Sequence, residues 1–425
     1  MARRFGSAAS VFAATCLAWA AAAAQDRPYD GVTLNLASMN DPFSGPLVTL
    51  AERFGAETGI TVKVDILSYP ELLTKVTADF IGDTGGYHIV TMDNVWAGQF
   101  AEAGHSVVLN DWMARDAAEI GLDDIYPVIM TALGNYQGAQ VAFPFSGYAN
   151  VLAYRTDLYD KAGLQPPSTM EELVAAAKAL TDRDANQYGW VANGQRGPAV
   201  AQDWMQYNSQ MGGSIMGADG LPAINAPANV ASLAVYKQLF DEAAPPGAVD
   251  YDWGGREESF RQGLVANMQT WSVGAAGYDN PDMSKVVGLN RVVFAPTGEG
   301  LPPRCGVGGW GLAINADIDD TEQAAAWEFI KWITSPAIQK EMSLLGGGGY
   351  IRASTTADPE LQAKYPFLPV IDQCFVNGDG DFRPRIPEYP EIQDILGSAV
   401  NAVLAGGEDP QAALDEAQDQ AMGLF

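Results

Sequence analysis

One stretch of the sequence constrains the fold more than any other, because strand-like character stops there and begins again. Residues 142–164 read AFPFSGYANVLAYRTDLYDKAGL, with two strand-like runs separated at Ser146 and Gly147 and a short amphipathic helix directly after them. A chain that leaves one α/β unit at this point and starts another would form two lobes joined by a hinge.

In front of this stretch, the apolar spacing alternates between the strand and helix periods. Strands are predicted at residues 32–37, 62–66 and 88–92, with helical patterns between them, and Gly59 ends the first helix. This βαβ alternation predicts a parallel sheet covered by helices. After residue 147 the alternation resumes, and a length of 425 residues suits two compact domains.

Local signals place several elements of the second unit. Ser168, with Glu171 three residues later, predicts a capping box at the start of a helix. The chain is expected to return to the first unit near residues 293–298, and two crossings between lobes would enclose a cleft for a ligand. Further strands are predicted at residues 266–271, 292–295 and 311–314.

The first 24 residues have the composition of a targeting segment. Arg3 and Arg4 precede an apolar, Ala-rich run that ends before Gln25. We therefore expect export, with cleavage after about Ala24. No later apolar run reaches the ~18 residues that a membrane span needs.

The net charge of the chain disfavours some classes of binding partner. The sequence has 24 Lys and Arg residues against 52 Asp and Glu residues, and a formal net charge of −28. Because the targeting segment contains Arg3 and Arg4 and no acidic residue, cleavage would bring the mature charge to about −30. Such a charge repels phosphate backbones and anionic membrane surfaces, so nucleic acid is a poor partner.

Two cysteines, Cys305 and Cys374, remain after removal of the targeting segment. In an oxidising compartment, one bridge is expected more often than two free thiols. The bridge would close a loop of about 70 residues and contribute on the order of 4 kcal/mol in the chain-entropy model. A catalytic thiol is the alternative, and it would need His88 or His105 nearby.

Several longer segments occur in the order found in one protein family. They include FGAETGITVKVDI from residue 54, YHIVTMDNVWAGQFAEAGHSVVLNDW from residue 87, MQTWSVGAAG from residue 268 and GGWGLAINADIDDTEQAAAWEFIKWITSP from residue 308. Together these segments resemble the family 1 extracellular solute-binding proteins of carbohydrate ABC transporters. Within that family, APPG at residues 244–247 and YGW at residues 188–190 resemble the branch that binds sugar alcohols and monosaccharides.

This resemblance implies a type II periplasmic binding protein, an α/β fold with two lobes, a hinge and a ligand cleft between them. Lobe 1 would contain residues 25–145 plus about 297–340, and lobe 2 residues 146–296 plus about 341–425. The implied function is that of a monomeric periplasmic receptor that binds a sugar or sugar alcohol and delivers it to the permease subunits of an ABC importer. Neither a cofactor, a metal nor an enzymatic activity is implied.

Candidate ligand residues follow from the chemistry of sugars. The C–H faces of a sugar pack on aromatic rings, and its hydroxyl groups need partners such as Asp, Asn, Gln and Arg. An open α/β sheet presents ligands at the carboxyl ends of its strands, and family position favours an aromatic residue at Trp271. With residues at the predicted hinge and after the glycine run at 346–349, the candidates are Asn40, Asp41, Asp93, Asn94, Trp96, Ser146, Tyr148, Trp271, Gly308, Trp310, Tyr350 and Arg352.

Several of these candidates have a structural alternative. Trp96 could face the interior of its helix, Asp41 could form a turn before Pro42, and Asp93 could cap the following helix. Four further side chains could line the second lobe or, for Trp204 equally well, pack in a helix core: Trp190, Arg196, Asp203 and Trp204.

Two segments match the letters of known binding motifs but lack the structural context that those motifs require. GVGGWG at residue 306 fits the dinucleotide pattern, but it precedes a strand instead of opening a helix after one. Residues 377–388 have calcium-loop spacing, but Phe382 occupies the position that requires glycine. We predict a solvated turn there, a core position for His88 and a surface loop position for His105.

Two other functions stay open from the residues alone. A secreted glycosidase with two opposed carboxylates fits the abundance of acidic residues. A clamp for an anionic sugar derivative would need an arginine cluster or an exposed helix N-terminus, whereas the arginines here are scattered, with Arg196 and Arg352 as candidates. The identity of the sugar or polyol does not follow from aromatic and carboxylate counts.

Overall fold

The computed structural model describes residues 27–425, so the predicted targeting segment and its cleavage site lie outside the described residues. Strands β1 (Thr33–Met39), β2 (Thr61–Leu67) and β3 (Ile89–Asp93) are separated by helices α1 (Ser44–Thr58) and α2 (Tyr69–Ile81). β1 pairs in parallel with both β2 and β3, which confirms the βαβ prediction for this part of the chain. Gly59 ends α1 with a φ of 83°, a conformation that a residue without Cβ adopts at little cost.

One long strand connects the two halves of the sheet. β6 (Phe143–Arg155) runs without interruption through Ser146 and Gly147. Up to Ala149 it pairs with antiparallel β9 (Val307–Ile314), and beyond that point it pairs with antiparallel β7 (Asn267–Trp271) and β8 (Asn290–Phe294). The predicted break between two strands is therefore wrong. Both small residues pair with β9, and the partner changes only after Ala149; the irregularity near them is a shift of register between Pro144 and Ser146.

The sheet is mixed rather than wholly parallel. Its strand order is β2-β1-β3-β9-β6-β7, and β8 also pairs with β6. β9 lies antiparallel to β3 and returns the chain to the first half. The return falls between the end of β8 and the start of β9, at residues 295–306, a range that overlaps the predicted residues 293–298. A separate two-stranded sheet contains β4 (Asn135–Tyr136) and β5 (Ala139–Gln140).

Helices cover this sheet and complete the C-terminal third of the chain. No helix within residues 27–425 combines the length and the apolar composition that crossing a membrane requires. Short 3₁₀ turns lie at Asn94–Trp96, Leu122–Asp124, Ala248–Asp250 and Ser272–Gly277. The helices after α2 are α3 (Ala97–Ala103), α4 (Asn110–Arg115), α5 (Ala117–Ile120), α6 (Pro127–Ala132), α7 (Thr156–Ala162), α8 (Met170–Ala179), α9 (Pro198–Gln210), α10 (Pro227–Ala243), α11 (Trp253–Arg261), α12 (Asp320–Ile333), α13 (Pro336–Leu344), α14 (Ala353–Thr356), α15 (Pro359–Lys364), α16 (Leu368–Asn377), α17 (Tyr389–Gly406) and α18 (Pro410–Met422).

Helix α8 begins with a capping box one residue later than predicted. The Thr169 hydroxyl accepts a hydrogen bond from the Glu172 amide at 3.2 Å, and the Glu172 carboxylate accepts one from the Thr169 amide at 3.2 Å. The amide and hydroxyl of Ser168 donate to the same carboxylate. Thr169, rather than Ser168, has the N-cap position, because its extended backbone directly precedes the first helical residue.

Contacts of the C-terminal third bear on the predicted domain division. Glu341 pairs with Arg53 of α1 at 2.6 Å, and the Tyr126 hydroxyl donates to the Asp372 carboxylate. These contacts attach residues 336–377 to the first half of the chain, whereas α17 packs on α9 and α18. The division into lobes stays a prediction, and the contacts favour a final boundary nearer residue 378 than 341.

Cys305 and Cys374 form a disulfide in this structure, with their Cα atoms 5.4 Å apart. Cys305 lies just before β9, and Cys374 lies on α16. The bridge therefore attaches the start of the returning strand to a helix that precedes α17. Both side chains are buried, so the bridge is shielded from solvent.

Alkylation tests the bridge directly. We expect denatured, non-reduced protein to be labelled at neither Cys305 nor Cys374, and prior reduction to make both reactive. Because the crosslink restricts the unfolded chain over a sequence separation of 69 residues, reduction should lower the free energy of unfolding by on the order of 4 kcal/mol. Labelling of both thiols without reductant would contradict the bridge.

Candidate functional site

A cavity of about 250 Å³ lies at the carboxyl ends of β1, β3 and β7, beside the point where β6 changes partner. The helices α2, α9 and α11 and the segment that follows α16 complete its wall. The lining side chains combine aromatic rings, carboxylates, guanidinium groups and amides. They include Asn40, Asp41, Tyr69, Asp93, Tyr148, Gln202, Trp253, Arg256, Glu257, Trp271, Trp310, Arg383 and Gln393.

Asp41 occupies a turn after β1, where its amide donates to the Ser44 hydroxyl at 2.9 Å. Its Oδ2 atom accepts hydrogen bonds from the Tyr148 hydroxyl at 2.8 Å and from Trp310 Nε1 at 3.0 Å. Ser146 Oγ donates in turn to the Tyr148 hydroxyl at 3.2 Å. Oδ1 has no hydrogen-bond partner among the described residues, so it remains available to a molecule in the cavity.

The Asp41 carboxyl has no countercharge in the part of the chain that the structure describes. Burial raises its pKa from 3.8 to about 7, and the negative charges of Glu257 and Asp93 act in the same direction. The hydrogen bonds from Tyr148 and Trp310 lower the pKa, because they stabilise the ionised form, but burial outweighs them. Asp41 therefore changes protonation near neutral pH.

Asp93 ends β3 on the opposite part of the wall. Its Oδ2 atom accepts a hydrogen bond from the Tyr69 hydroxyl at 2.9 Å, and its Oδ1 atom lies 3.6 Å from Nη2 of Arg383. The same Nη2 donates to Asn94 Oδ1 at 2.6 Å. Arg383 Nε has no partner within residues 27–425. Its guanidinium carbon lies 5.3 Å from the centre of the Trp271 ring, which orients the group.

Arg256 is a second buried guanidinium group at the cavity. Nη1 donates to Asp203 Oδ1 at 2.6 Å, and Nη2 donates to the Thr270 hydroxyl at 2.8 Å and lies 3.3 Å from Glu257 Oε1. The Tyr278 hydroxyl holds the other Glu257 oxygen at 2.8 Å. Nε of Arg256 is buried and lacks a partner among the described residues. The ion pairs thus fix the plane of the group and leave one donor.

Trp253 and Gln202 form the wall that faces Tyr69. The Trp253 ring centre lies 5.7 Å from that of Tyr69, and Trp253 Nε1 donates to Gln202 Oε1 at 2.7 Å. An indole nitrogen can only donate, so the Gln202 side-chain atom that faces Trp253 must be the oxygen. The Gln202 amide nitrogen therefore points away from Trp253. Gln202 Nε2 is buried without a partner within the described chain.

The structure brings part of the predicted site together. The predicted residues that line the cavity are Asn40, Asp41, Asp93, Tyr148, Trp271 and Trp310. Asn94, Ser146 and Gly308 lie behind them, where Asn94 holds Arg383 and Ser146 holds Tyr148. A Cβ atom at Gly308 would press on Arg383, Trp271 and Asn94, so glycine permits this close packing. Trp96 also packs behind the wall, with its ring centre 5.9 Å from that of Trp310.

Arg352 and Tyr350 are not brought to the cavity. Arg352 is fully buried and donates to the carbonyl oxygens of Thr334, Ile120 and Gly121 at 2.7–2.9 Å. It therefore binds the C-terminal ends of α5 and α12, a structural role that suits a cation at helix C-termini. Tyr350 is also fully buried, and its amide donates to the Gly147 carbonyl at 3.0 Å.

None of the four second-lobe alternatives lines the cavity. Trp190 and Trp204 are fully buried, and the Trp204 indole donates to the Ser232 hydroxyl at 3.1 Å. Arg196 donates to Ser398 away from the cavity, and Asp203 supports Arg256 from behind. Only the last of these contributes to the site, through another side chain.

Sequence reasoning missed several lining residues. Tyr69 opens α2 two residues after the end of β2, so the strand-end rule could have found it. Gln202, Trp253 and Arg256 lie on helices distant from any predicted strand end, and Arg383 lies in the segment predicted as a solvated turn. No local signal distinguishes these four from other polar or aromatic residues.

The motifs set aside from the sequence have other roles. GVGGWG forms the start of β9, and no cluster of His, Cys, Asp and Glu side chains in the described chain could hold a metal ion. His88 is buried and its Nδ1 accepts a hydrogen bond from the Asn35 amide at 3.1 Å, as expected for a satisfied core histidine.

Comparison with known proteins places this chain among transport-associated binding proteins. Residues 40–340 match the family model of the bacterial extracellular solute-binding proteins. The mannitol-binding protein of Pseudomonas aeruginosa is 26% identical over 433 residues, and the match covers 95% of each chain.

Two solved structures are similar over nearly their whole length. An ABC transporter solute-binding protein from Agrobacterium radiobacter K84 in complex with ribitol is 63% identical, with a TM-score of 0.91, covering 93% of this chain and 100% of that one. A solute-binding protein from Agrobacterium vitis S4 with bound D-mannitol is 26% identical, with a TM-score of 0.82, covering 92% of this chain and 97% of that one.

The environment of Asp41 predicts a pH dependence of stability. Its folded-state pKa of about 7 exceeds the unfolded value of 3.8, so the folded protein binds this proton more tightly. The resulting stabilisation is fully present below about pH 4 and is lost as the pH rises through about 7, a change of at most about 4 kcal/mol. Asp41→Asn should remove this loss. Urea unfolding of both proteins between these pH values measures it, and identical pH profiles would contradict the assignment.

Proposed function

This chain belongs to the bacterial extracellular solute-binding proteins, and we propose that its ligand is an uncharged linear sugar alcohol of five or six carbons. The polyol occupies the cavity between the lobes and is delivered to the permease subunits of an ABC importer. The mature protein acts in the periplasm as a monomer, after cleavage near Ala24. Similarity to the ribitol-bound and mannitol-bound proteins supports this choice of ligand.

The polar atoms that lack protein partners carry the proposal. Arg256 Nε, Arg383 Nε and Gln202 Nε2 are buried donors without an acceptor among the described residues, on side chains that line the cavity. Both side-chain hydrogen bonds to Asp41 go to Oδ2, which leaves Oδ1 as an acceptor without a partner in the described chain. A hydroxyl group donates one hydrogen bond and accepts others, so a chain of hydroxyl groups satisfies both kinds of atom. The rings of Trp271, Trp310 and Trp253 supply the apolar surface for its C–H groups.

The size of the cavity favours a small ligand. Its volume of about 250 Å³ lies just below the range of about 300–1,000 Å³ that is usual for drug-sized ligands. A disaccharide, with about twice the atoms of a hexitol, needs a larger space. A pentitol or hexitol therefore fits better than an oligosaccharide.

The charges of the cavity disfavour an anionic ligand. Arg256 is neutralised by Asp203 and Glu257, and Arg383 lies beside Asp93. The third guanidinium group of the lining, Arg261, pairs with Glu258. The carboxyl groups at the cavity and directly behind it therefore outnumber the guanidinium groups, and Asp41 has no cation in the part of the chain described. An added phosphate or carboxylate would be buried next to them without an unpaired guanidinium group, at a high electrostatic cost.

We further propose that the protein is not an enzyme. Each carboxylate at the cavity is held by donors of the protein. Asp41 is held by Tyr148 and Trp310, Asp93 by Tyr69, and Glu257 by Tyr278. Such fixed acceptors suit reversible recognition of hydroxyl groups. Incubation with oligosaccharides and assay of the products tests this proposal, because turnover would instead identify a glycosidase.

Substitution of the cavity wall should weaken binding of ribitol measured by calorimetry. Trp271→Ala and Trp310→Ala should each cost about 1 to 3 kcal/mol, because a ring face no longer packs on the ligand. The two losses need not add, since both rings contact one small molecule. Asp93→Asn should also weaken binding, because the amide nitrogen cannot accept from a hydroxyl group or neutralise Arg383.

Trp332 provides the matched tryptophan control. It lies on α12 outside the cavity, where its indole donates to Glu57 and its ring packs on Phe54. Trp332→Ala should lower stability and leave the ribitol affinity of the folded fraction unchanged. Wild-type affinity in both cavity tryptophan variants and in Asp93→Asn would refute the site.

Charge selectivity gives a separate test of the ligand class. Ribitol should bind at least ten times more tightly than ribitol 5-phosphate, because the phosphate would meet the acidic wall formed by Asp41 and Glu257. Competition calorimetry at pH 8, where Asp41 is ionised, should show the largest difference. Tighter binding of the phosphate ester would favour the anionic-ligand alternative.

A further inference from the structure

Arg383 reaches the cavity from an irregular segment, residues 378–388, which connects α16 to α17. Its Nη2 atom donates to Asn94 Oδ1 at 2.6 Å, and the guanidinium group packs over Trp271. A long arginine side chain on irregular backbone has many conformations, so a fixed position requires that the backbone be held on both sides.

The disulfide holds this segment on its N-terminal side. Cys374 lies four residues before Gly378, and the disulfide attaches it to Cys305. The Asp379 amide donates to the Cys305 carbonyl at 2.8 Å, and the Val307 amide donates to the Asp379 carbonyl at 2.8 Å. A Cβ atom at Gly378 would overlap the Cys374 carbonyl, so the backbones here are in direct contact.

The side chains on either side of Arg383 complete the attachment. Phe382 packs on Trp271, with ring centres 6.1 Å apart, and contacts the backbone at Gly306. Arg385 donates to the Asn135 carbonyl at 2.6 Å, on the side away from the disulfide. The backbone at Arg383 is thus held on one side by the Cys305–Cys374 bridge and on the other by the Arg385 contact.

We propose that Cys305 and Cys374 are positioning residues for Arg383, so that the disulfide determines the affinity for the polyol. This inference rests on the proposed function for the identity of the ligand. When the bridge is intact, the guanidinium group of Arg383 is held at the cavity wall before a hydroxyl group arrives. Without it, part of the binding free energy is lost in ordering the segment.

Calorimetry with ribitol tests the coupling in the full mature chain. Cys305→Ser combined with Cys374→Ser removes the bridge without leaving a free thiol, and we expect at least a tenfold loss of affinity. Arg383→Lys keeps the charge but removes the planar fork, and it should weaken binding in the wild type. When Arg383→Lys is added to the double serine variant (the serine pair), the loss of ribitol affinity should be distinctly smaller than in the wild type, because the disulfide no longer holds Arg383 in position.

Asp319→Ala provides a stability control. Asp319 caps α12 through hydrogen bonds to the Thr321 and Glu322 amides, so its loss should lower stability by about 1 kcal/mol without affecting residues 378–388. The ribitol affinity of its folded fraction should equal that of the wild type. Wild-type affinity in the serine pair, or full additivity with Arg383→Lys, would overturn the inference.

Hydrogen exchange in the unliganded protein supplies a readout that does not depend on the ligand. The amides of Val307 and Asp379 should exchange faster in the serine pair than in the wild type, and unchanged exchange would overturn the inference. A wild-type protein that fails to bind ribitol would contradict the proposed function alone. Faster exchange at these two amides would then still support the positioning role of the disulfide.

Discussion

The backbones of β6 and β9 approach closely where Ser146 and Gly147 pair with Trp310 and Gly309. Gly309 has a φ of 134°, and a Cβ atom there would overlap the Ser146 carbonyl, so a larger residue would separate the strands. This contact places Tyr148 and Trp310 on the same side of the sheet, where both donate to Asp41. The close approach of these two strands therefore sets the position of the two donors that hold Asp41 at the cavity.

Much of the fold follows from apolar spacing, and the differences have local causes. Periodicity located β1, β2 and β3, because each is followed by an amphipathic helix with a clear end. At Ser146 and Gly147 the spacing predicts a break, because small residues weaken the strand signal even where the strand continues. The partner of a strand is set by tertiary contacts, which the spacing of one segment does not contain. The same limit explains why β9 was predicted to begin at residue 311 instead of Val307.

The residues of the candidate site show the same difference between positions that local sequence predicts and positions that tertiary contacts determine. The strand-end rule found Asp41, Asp93 and Trp271, because the carboxyl ends of neighbouring strands meet at one edge of the sheet. Arg383 comes from an irregular segment whose path is set by a disulfide and by contacts with distant residues. Arg352 is the opposite case, a predicted ligand residue that has a structural role. An arginine after a glycine run could bind either a ligand or the carbonyl oxygens at the ends of helices. Only the folded backbone distinguishes these two uses.

For the proposed polyol ligand, recognition depends on how firmly the polar side chains of the cavity wall are held. Asp41 is fixed through Oδ2, Gln202 through Oε1 and Arg256 through both terminal nitrogens, so hydrogen bonds within the protein restrict the conformation of each side chain. A ligand hydroxyl in the matching position gains these bonds without reordering the protein. A ligand that lacks the hydroxyl leaves a buried donor or acceptor unsatisfied, which costs about 1 to 3 kcal/mol for each group. If the ligand is the proposed sugar alcohol, its selectivity therefore arises from hydrogen bonds that the protein makes to itself.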